Sequence, residues 1–247
     1  TAFSTREATI VRLAWEVHRA LERRPDLRLV LGHGSGSFGH WEAAQHGTRE
    51  GVTTAVQWAG FAAVASAAAR LNRLVADRFL AQGVPVLSIP PSASARCRDG
   101  VLQCLECGPI YAALGHGLVP LVYGDVAFDE TRGGTIVSTE DVFVYLAERL
   151  VPGHVLLAGE VEGVLDCHGR LVSAITPAEL PLLEGALGGS SGVDVTGGMV
   201  RKVAQMVALV ERQPSLCVRI FSGMQPGATE RLLVDPAADV GTRIALA

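Results

Sequence analysis

Four short segments of the chain carry residue types that could bind and transfer a phosphoryl group. The first, HGSGSFGH at 33–40, follows a short apolar run, and its glycines allow backbone N–H groups to converge on an anion. His40 closes this loop, where a histidine can donate to a phosphate oxygen and carry positive charge near neutral pH. The loop lacks the lysine of a Walker sequence, so it predicts an anion site of another kind. The alternative is an ordinary glycine-rich turn whose histidine has no function.

The other three segments are rich in carboxylates or begin a helix with two glycines. They are YGDVAFD (123–129), STED (138–141) and DVTGGMVRK (194–202). Each lies at the predicted carboxyl end of a strand or at the start of a helix, where open α/β sheets bind ligands. Asp125 and Glu140 could hold a metal or orient charged groups. Alternatively, Asp125 forms a turn after Gly124, and Glu140 with Asp141 makes an acidic first turn that the helix dipole favours.

Lys202 is the only lysine in the 247 residues, and every other cationic side chain of the Lys/Arg class is an arginine. An ammonium group near a helix N-terminus can bind phosphate as a compact point charge. The alternative is a solvated surface lysine.

Alternating helices and strands must position these segments. Apolar periodicity, capping residues and turn signals predict helices at 4–24, 55–82, 109–116, 138–150, 177–183 and 199–212, and strands at 27–31, 84–89, 118–123, 154–158 and 216–220, with a last edge strand after Gly241. Turns are predicted at Arg98-Asp99-Gly100, at Gly133-Gly134 and around Asp166 to Gly169. This alternation favours an α/β fold, a three-layer α/β/α sandwich with a largely parallel central sheet. We expect two lobes, 1–150 and 151–247.

Composition limits the classes of function. A hydrophobic fraction of 49% predicts a sizeable core, and a net charge of -4 without a basic cluster argues against nucleic-acid binding. No apolar run approaches the roughly 18 to 20 residues that span a bilayer, and the first residues resemble no secretory signal, so we expect a cytoplasmic protein without a membrane segment. The five cysteines predict reduced thiols. A zinc site of Cys97, Cys104, Cys107 and His116 is the less favoured alternative.

The four segments, in this order, resemble the amino acid kinase superfamily and most closely its isopentenyl phosphate kinases. HGSGSFGH is similar to the HGGGSFGH loop of that family, with Ser35 in place of a glycine. Three further family motifs occur in the same order along this chain: GDV followed by an aspartate, S-x-[DE]-D, and DVTGGMxxK. The resemblance covers nearly the whole chain. The histidine that closes the loop is the most specific sign, because acetylglutamate and carbamate kinases lack it, whereas fosfomycin kinases share it.

The resemblance implies an amino acid kinase-like fold and an ATP-dependent kinase that phosphorylates isopentenyl phosphate to isopentenyl diphosphate in isoprenoid biosynthesis, by the alternative mevalonate route. It also implies Mg²⁺ as a cofactor and a homodimer. Residues 1–150 would bind the acceptor and 151–247 would bind ATP.

By the same resemblance, His40, Glu140 and Lys202 are the expected catalytic residues. The expected acceptor-binding residues are Gly34, Ser35, Gly36, Ser37, Gly39, His40, Gly124 and Asp125, joined by Trp58 and Phe61 as candidates for a dry pocket around the isoprenoid tail. The expected ATP-binding residues are Glu162, Gly163, Gly197, Gly198 and Lys202. The alternative for Trp58 and Phe61 is ordinary packing of a helix on a sheet.

The chain departs from the family pattern in three places. Family members begin with a strand that carries a Lys-Leu-Gly-Gly-Ser-like motif, and this chain begins after it, so we expect the sequence to be incomplete at its N-terminus. Glu140 stands where the family usually has aspartate, and Glu160 to Val164 (EVEGV) replaces an Asp-Val-Asp-Gly-Val-like loop.

Two other functions compete with this one. A fosfomycin-type kinase would use the same loop and histidine but would need a small polar acceptor pocket. A nucleotide-binding member of the superfamily without catalytic activity would keep the fold alone. An acetylglutamate-type kinase is disfavoured, because the sequence offers no recognisable arginine clamp for an acidic substrate.

Overall fold

The computed structural model describes residues 6–34, 47–180 and 197–246. The chain divides into two compact units. The first comprises Thr1–Leu21 and Pro25–Leu146, and the second comprises Glu22–Arg24 and Ala147–Ala247. Each unit contains its own β-sheet structure and its own candidate functional residues.

Six α-helices lie within the described residues. In chain order they are α1 (Glu7–Arg23), α2 (Ala55–Ala81), α3 (Gly108–Gly115), α4 (Thr139–Leu150), α5 (Gly197–Arg212) and α6 (Ala228–Val234), with short 3₁₀ turns at Pro91–Ala93 and Pro177–Glu179. The long helix α2 begins at a capping box in which the Thr54 hydroxyl accepts the Gln57 N–H at 3.3 Å. The Gln57 side chain accepts the Thr54 N–H at 3.0 Å in return. Gly83, with φ +83°, follows its end.

The first unit contains a parallel three-stranded sheet that ends at the predicted glycine loop. Its strands are β1 (Leu31–His33), β2 (Val86–Ser88) and β5 (Val119–Tyr123), in the order β1-β5-β2. All five residues of β5 are buried, as expected for the central strand of a parallel sheet. Since the strands are parallel, their last residues meet at one edge.

A second sheet of the first unit consists of two hairpins placed side by side. It contains β3 (Arg96–Arg98), β4 (Val101–Cys104), β6 (Asp125–Asp129) and β7 (Gly133–Val137), in the order β4-β3-β6-β7. The hairpins are antiparallel, and β3 pairs with β6 in parallel. Between β3 and β4 the chain turns at Asp99-Gly100, where both φ angles are positive.

The second unit contains the sheet β8-β10-β11-β9, with β8 (His154–Gly159), β9 (Ala174–Ile175), β10 (Cys217–Ser222) and β11 (Thr242–Ile244). Strands β8 and β10 are parallel, and β10 and β11 are antiparallel. Helix α5 packs against β10 and β11. Its buried residues recur at helical spacing: Val203, Met206, Val207 and Val210.

Most predicted elements occur, and several details differ. Helices α2, α3 and α5 have ends within two residues of those predicted, and the turns at Asp99-Gly100 and at Asp166 to Gly169 are present. Strand 27–31 is instead Leu31–His33, and β6 and β7 were not predicted, because the Gly133-Gly134 pair that indicated a turn lies inside β7.

Other differences lie in the second unit, where helix α6 and strand β9 were not predicted. The segment predicted as helix 177–183 has a 3₁₀ turn at Pro177–Glu179, and residues 181–183 lie outside the described part of the chain. The last strand is not an edge strand. Strand β11 lies between β10 and β9, and its Ile244 is fully buried.

No helix in the described ranges is long and apolar enough to cross a membrane. Within the same ranges, no three histidine, cysteine, aspartate or glutamate side chains are grouped as metal ligands would be. All five cysteines are free thiols. Cys97 is fully buried, and Cys107 Sγ donates to the Leu105 carbonyl at 3.4 Å, so the candidate zinc tetrad does not assemble.

Candidate active site

The carboxyl ends of three parallel strands lie together in the first unit, at His33, Tyr123 and Ser88. This is the edge at which parallel sheets bind ligands. The predicted glycine loop starts there, with an exposed Gly34 directly after His33. Ser35, Gly36, Ser37, Gly39 and His40, all predicted to bind the acceptor, lie outside the described residues.

The backbone carbonyl of His33 joins three of the predicted segments. It accepts the Gly124 N–H at 3.2 Å and the Thr139 hydroxyl at 2.7 Å. A side chain at position 124 would place its Cβ 3.3 Å from Thr139 Oγ1, so glycine permits this close approach. The start of the glycine loop, the GDV segment and the first turn of α4 are therefore held at one point.

The STED segment caps helix α4. Ser138 Oγ accepts the Asp141 N–H at 3.0 Å, and the Asp141 carboxylate accepts the Ser138 hydroxyl at 2.6 Å and the Ser138 N–H at 3.1 Å. Asp141 therefore has a structural function as the third residue of a capping box. Glu140 lies half-buried in the same first turn, next to Thr139.

Asp125 is almost completely buried, with 1% of its surface exposed. Its Oδ2 accepts the Ser92 N–H at 3.1 Å, and its Oδ1 accepts the Val126 N–H at 2.8 Å. Burial raises the pKa of this carboxyl, and the bonds from Ser92 and Val126 oppose the rise. The structure thus places Asp125 against the backbone of the Pro91–Ala93 turn, beside the predicted acceptor site.

An aromatic cluster lies where α2 meets the second sheet. Trp58 and Phe61 pack edge to face with ring centroids 5.2 Å apart, and Phe128 lies 5.9 and 5.5 Å from them. Phe61 is buried in a core cluster with Val64, whereas Phe128 is 57% exposed. A cleft of about 390 Å³ adjoins Phe128, and its lining residues are Ser92, Ala93, Ser94, Ala95, Arg96, Cys104, Glu106 and Phe128. The cluster therefore combines core packing with an accessible apolar wall.

In the second unit, the carboxyl ends of β8 and β10 pair at Gly159 and Ser222. The Ser222 hydroxyl donates to the Glu160 carbonyl at 3.3 Å and accepts the Met224 N–H at 3.2 Å. Gly223 N–H donates to the Gly159 carbonyl at 2.8 Å. The predicted EVEGV loop and the loop that follows Ser222 therefore begin side by side.

Gly163 occupies a site with no room for a side chain. A Cβ there would lie 2.6 Å from both Thr242 Oγ1 and Leu171 Cδ1. The next residue, Val164, donates its N–H to Thr242 Oγ1 at 2.8 Å. Glu162, directly before Gly163, is exposed. Gly163 thus holds the loop against the start of β11 and leaves the acidic side chain outside.

Helix α5 begins at the predicted glycine pair, Gly197 and Gly198. Lys202 lies in its second turn and is half-buried. The sequence placed this lysine on a helix that begins with glycines, and the structure places it there as well.

No motif indicated the following four residues at these strand ends. Asn72 bonds to the His33 ring, and Tyr123 stacks on it. Ser88 bonds to Asn72, and Ser222 joins the loops of the second unit. Asn72 carried the only available signal, since it is a polar residue on the apolar face of an alanine-rich helix. Its partners lie on other strands and cannot be identified from spacing.

The sequence profile of the amino acid kinase family matches residues 1–222. The chain belongs to the amino acid kinase family. It is 33% identical over 228 residues to the isopentenyl phosphate kinase of Methanothermobacter thermautotrophicus, which covers 87% of this chain and 84% of the relative. It is 41% identical over 183 residues to the isopentenyl phosphate kinase of Haloferax volcanii, covering 74% and 72%.

A solved structure of an isopentenyl phosphate kinase is similar to this chain with a TM-score of 0.80 at 28% identity, covering 97% of this chain and 91% of that one. The predicted family and the predicted α/β fold class are therefore confirmed. The comparisons do not favour a fosfomycin-type kinase or a member without activity.

Proposed function

We propose that this member of the amino acid kinase family transfers the γ-phosphoryl group of ATP to the terminal phosphate oxygen of isopentenyl phosphate. The products are isopentenyl diphosphate, for isoprenoid biosynthesis, and ADP. One observation carries the proposal. The His33 carbonyl holds Gly124 and the first turn of α4 at the start of the glycine loop. The same chain is 33% and 41% identical to two isopentenyl phosphate kinases.

The acceptor phosphate binds in the first unit, at the glycine loop. Gly34, Ser35, Gly36, Ser37 and Gly39 supply backbone N–H groups, and His40 donates to a phosphate oxygen. The nucleophile is already an anion, so the reaction requires no strong general base. Alignment of the two phosphates and neutralisation of their mutual repulsion therefore supply the rate enhancement.

The isoprenoid tail lies beside the aromatic cluster, against the exposed ring of Phe128, with the buried Phe61 and the partly buried Trp58 packed behind it. The exposed ring of Phe128 and the adjoining cleft of about 390 Å³ support this placement, since pockets for small ligands start near roughly 300 Å³. Asp125 acts there by holding the N–H of Ser92, which lines the cleft.

The nucleotide binds in the second unit, beside Glu162, Gly163, Gly197 and Gly198. Lys202 takes up negative charge on the phosphates of ATP as a point charge in a helix whose first turns carry partial positive charge. The parallel strand ends at Gly159 and Ser222 support this location.

Mg²⁺ is the expected cofactor. Nucleotide-bound Mg²⁺ is usually held by one or two carboxylates and the substrate's phosphates. The half-buried Glu140 suits a single carboxylate donor. When bound, the ion neutralises phosphate charge, while Glu140 orients the charged groups around it.

We further propose a homodimer, which the family resemblance implies, and a cytoplasmic location. Size-exclusion chromatography with light scattering tests the dimer, and a single-chain mass would refute it.

An ADP-release assay with three parallel acceptors tests the function. We expect turnover with isopentenyl phosphate and background release with fosfomycin, N-acetylglutamate or no acceptor. Turnover with fosfomycin alone would replace the proposal by a phosphonate kinase. Nucleotide binding without turnover of any acceptor would indicate a binding protein.

A further inference from the structure

Arg219 is a buried cation on an inner strand of the second unit's sheet. It lies in β10 and is 5% exposed. Its Nη2 donates to the Pro236 carbonyl at 3.4 Å, and its Nε is buried without a hydrogen-bond partner. A guanidinium keeps its charge in proteins, so burial does not neutralise it. A buried charge is costly unless an opposite charge lies beside it. Arg219 therefore needs compensation that its contacts within the described residues do not supply.

The same face of the sheet carries further positive charge. Arg243 of β11 pairs directly with Arg219, so the two side chains point to one face. His154, the first residue of β8, lies on that face as well, because its partner Cys217 is two residues before Arg219. Like charges directly opposite each other in a sheet are destabilising. The strand register thus concentrates positive charge around Arg219.

His154 senses two of the cations. Its pKa is lowered, first by partial burial and then by the charges of Arg24 and Arg219. His154 remains exposed to solvent, and Arg24, directly after α1, is half-buried. All three residues belong to the second unit. This set, Arg24, His154 and Arg219, is the cationic cluster, which combines a buried guanidinium with an exposed imidazole.

The carboxylates near this face do not compensate Arg219. Helix α6 and the segment after it cover the face and pack against β10 in a common core cluster. Glu230 of α6 accepts a bond from Arg23 at 3.1 Å. Asp235 accepts a backbone N–H two residues further on at 3.0 Å, and Asp239 is exposed. In the described part of the chain, no carboxylate forms an ion pair with Arg219. An anion from solution is then the remaining source of negative charge.

We propose that the cationic cluster binds a small inorganic oxyanion of the phosphate type, which neutralises Arg219 and accepts hydrogen bonds from the more exposed His154 and Arg24. The 5% exposure of Arg219 limits the ligand to a small one. The cluster lies apart from the proposed nucleotide site. His154 begins β8, whereas the nucleotide is proposed to bind near its end at Gly159, about 16 Å away at roughly 3.3 Å per residue. The anion is thus a ligand additional to the substrates, and the inference does not rest on the proposed function.

Thermal unfolding of the full chain in increasing inorganic phosphate tests the proposal. The unfolding midpoint of the wild type should rise and saturate, by about 3 to 6 °C when phosphate is tenfold above its dissociation constant. Arg219→Met removes the charge and keeps a long side chain. Without phosphate this variant should be at least as stable as the wild type, because an uncompensated buried charge is gone. Phosphate should then add only the non-saturating stabilisation that it gives to proteins in general. An arginine that only supports the fold would instead leave the variant less stable at every phosphate concentration.

Two control variants separate this site from others. Arg212→Met removes a half-exposed arginine of the same unit that pairs with Glu148, and it should keep the full saturable response. Lys202→Ala should keep it as well, since phosphate bound at the proposed ATP site would lose that response. If Arg219→Met does not fold, His154→Gln replaces an exposed residue and should require several-fold more phosphate for the same midpoint shift.

Proton NMR of His154 gives a second readout that a structural function of Arg219 would not change. Phosphate should raise the pKa of His154 in the wild type, because the bound anion offsets the charges of Arg24 and Arg219. It should leave that pKa unchanged in Arg219→Met. The resonance is identified by its absence from His154→Gln.

Four results would overturn the inference: the same phosphate response in wild type and Arg219→Met, an Arg219→Met protein less stable than wild type without phosphate, an unchanged phosphate requirement in His154→Gln, or a pKa of His154 that phosphate does not change.

Discussion

Asp129 provides the most quantitative prediction, because one buried carboxylate holds the turns of both hairpins in the first unit. It is 4% exposed. Its Oδ1 accepts N–H groups from Asp99, Thr131 and Arg132 at 3.1, 2.8 and 2.8 Å, and its Oδ2 accepts the Gly100 N–H at 2.7 Å. The sheet that carries Phe128 and Arg96 therefore depends on a side chain at its end.

Asp129→Asn replaces the Oδ2 oxygen by an amide nitrogen and keeps the Oδ1 oxygen, which accepts three of the four bonds. The amide nitrogen that replaces Oδ2 would face the Gly100 N–H, so one short bond is lost and a buried donor loses its partner, which costs about 1 to 3 kcal/mol. In Asp129→Ala all four N–H groups lose their acceptor at once. At a net contribution of about 0.5 to 1.5 kcal/mol per bond, that variant should lose roughly 3 kcal/mol or more.

The effect should depend on pH in a defined direction. Burial alone would raise the pKa of Asp129, but the four N–H donors, led by Gly100, lower it below its usual value. The folded-state pKa is thus below that of the unfolded chain, about 3.9. The stabilisation is complete above that value and is lost as pH falls through the folded-state pKa.

Urea unfolding followed by circular dichroism at pH 7 and near pH 3 measures both effects. The difference in free energy of unfolding between wild type and Asp129→Asn should be largest at pH 7 and shrink toward pH 3. Asp99→Asn is the control, because Asp99 forms an exposed ion pair with Arg132, and its loss should cost less than about 1 kcal/mol. Equal stabilities at pH 7, or a difference that does not change with pH, would refute the reasoning.

Three further predictions concern the proposed binding residues. His40→Ala should lower kcat/KM for isopentenyl phosphate by about 10² to 10³, the loss typical of one electrostatic donor; an unchanged value would remove His40 from the site. Lys202 is the only lysine of the sequence, so mass spectrometry after amine acylation reports it directly. ATP should protect it, and Lys202→Ala should raise the KM for ATP; equal labelling with and without ATP argues against contact. Gly163→Ala should destabilise the protein by about 1 to 3 kcal/mol, because its Cβ would lie 2.6 Å from Thr242 Oγ1 and Leu171 Cδ1; an unchanged urea midpoint contradicts this.

The sequence predicted elements whose signals are local. Helix α2 has a capping box, an alanine-rich interior and a terminating glycine, and α5 has apolar residues at helical spacing. The turn at Asp99-Gly100 follows from residues that tolerate positive φ. Strands β6 and β7 were missed because the Gly133-Gly134 pair, which lies inside β7, indicated a turn.

The candidate site was predictable as a set of segments but not as a set of contacts. Glycines, carboxylates and one lysine identified the segments, since these residue types carry the chemistry. The surroundings of His33 could not be predicted, because Asn72 bonds to its ring from a helix distant in sequence and Ser88 bonds to Asn72 from another strand. Spacing also could not show which carboxylate of the STED segment caps helix α4. The structure shows that it is Asp141, and that Glu140 beside it is not part of the capping box.

Phosphorus NMR of the reaction mixture tests the central claim most directly. With the protein, Mg²⁺, ATP and isopentenyl phosphate, the monophosphate resonance should disappear and two coupled resonances of isopentenyl diphosphate should appear, with one ADP formed per acceptor consumed. ADP accompanied by inorganic phosphate, with the isopentenyl phosphate resonance unchanged, would contradict the account.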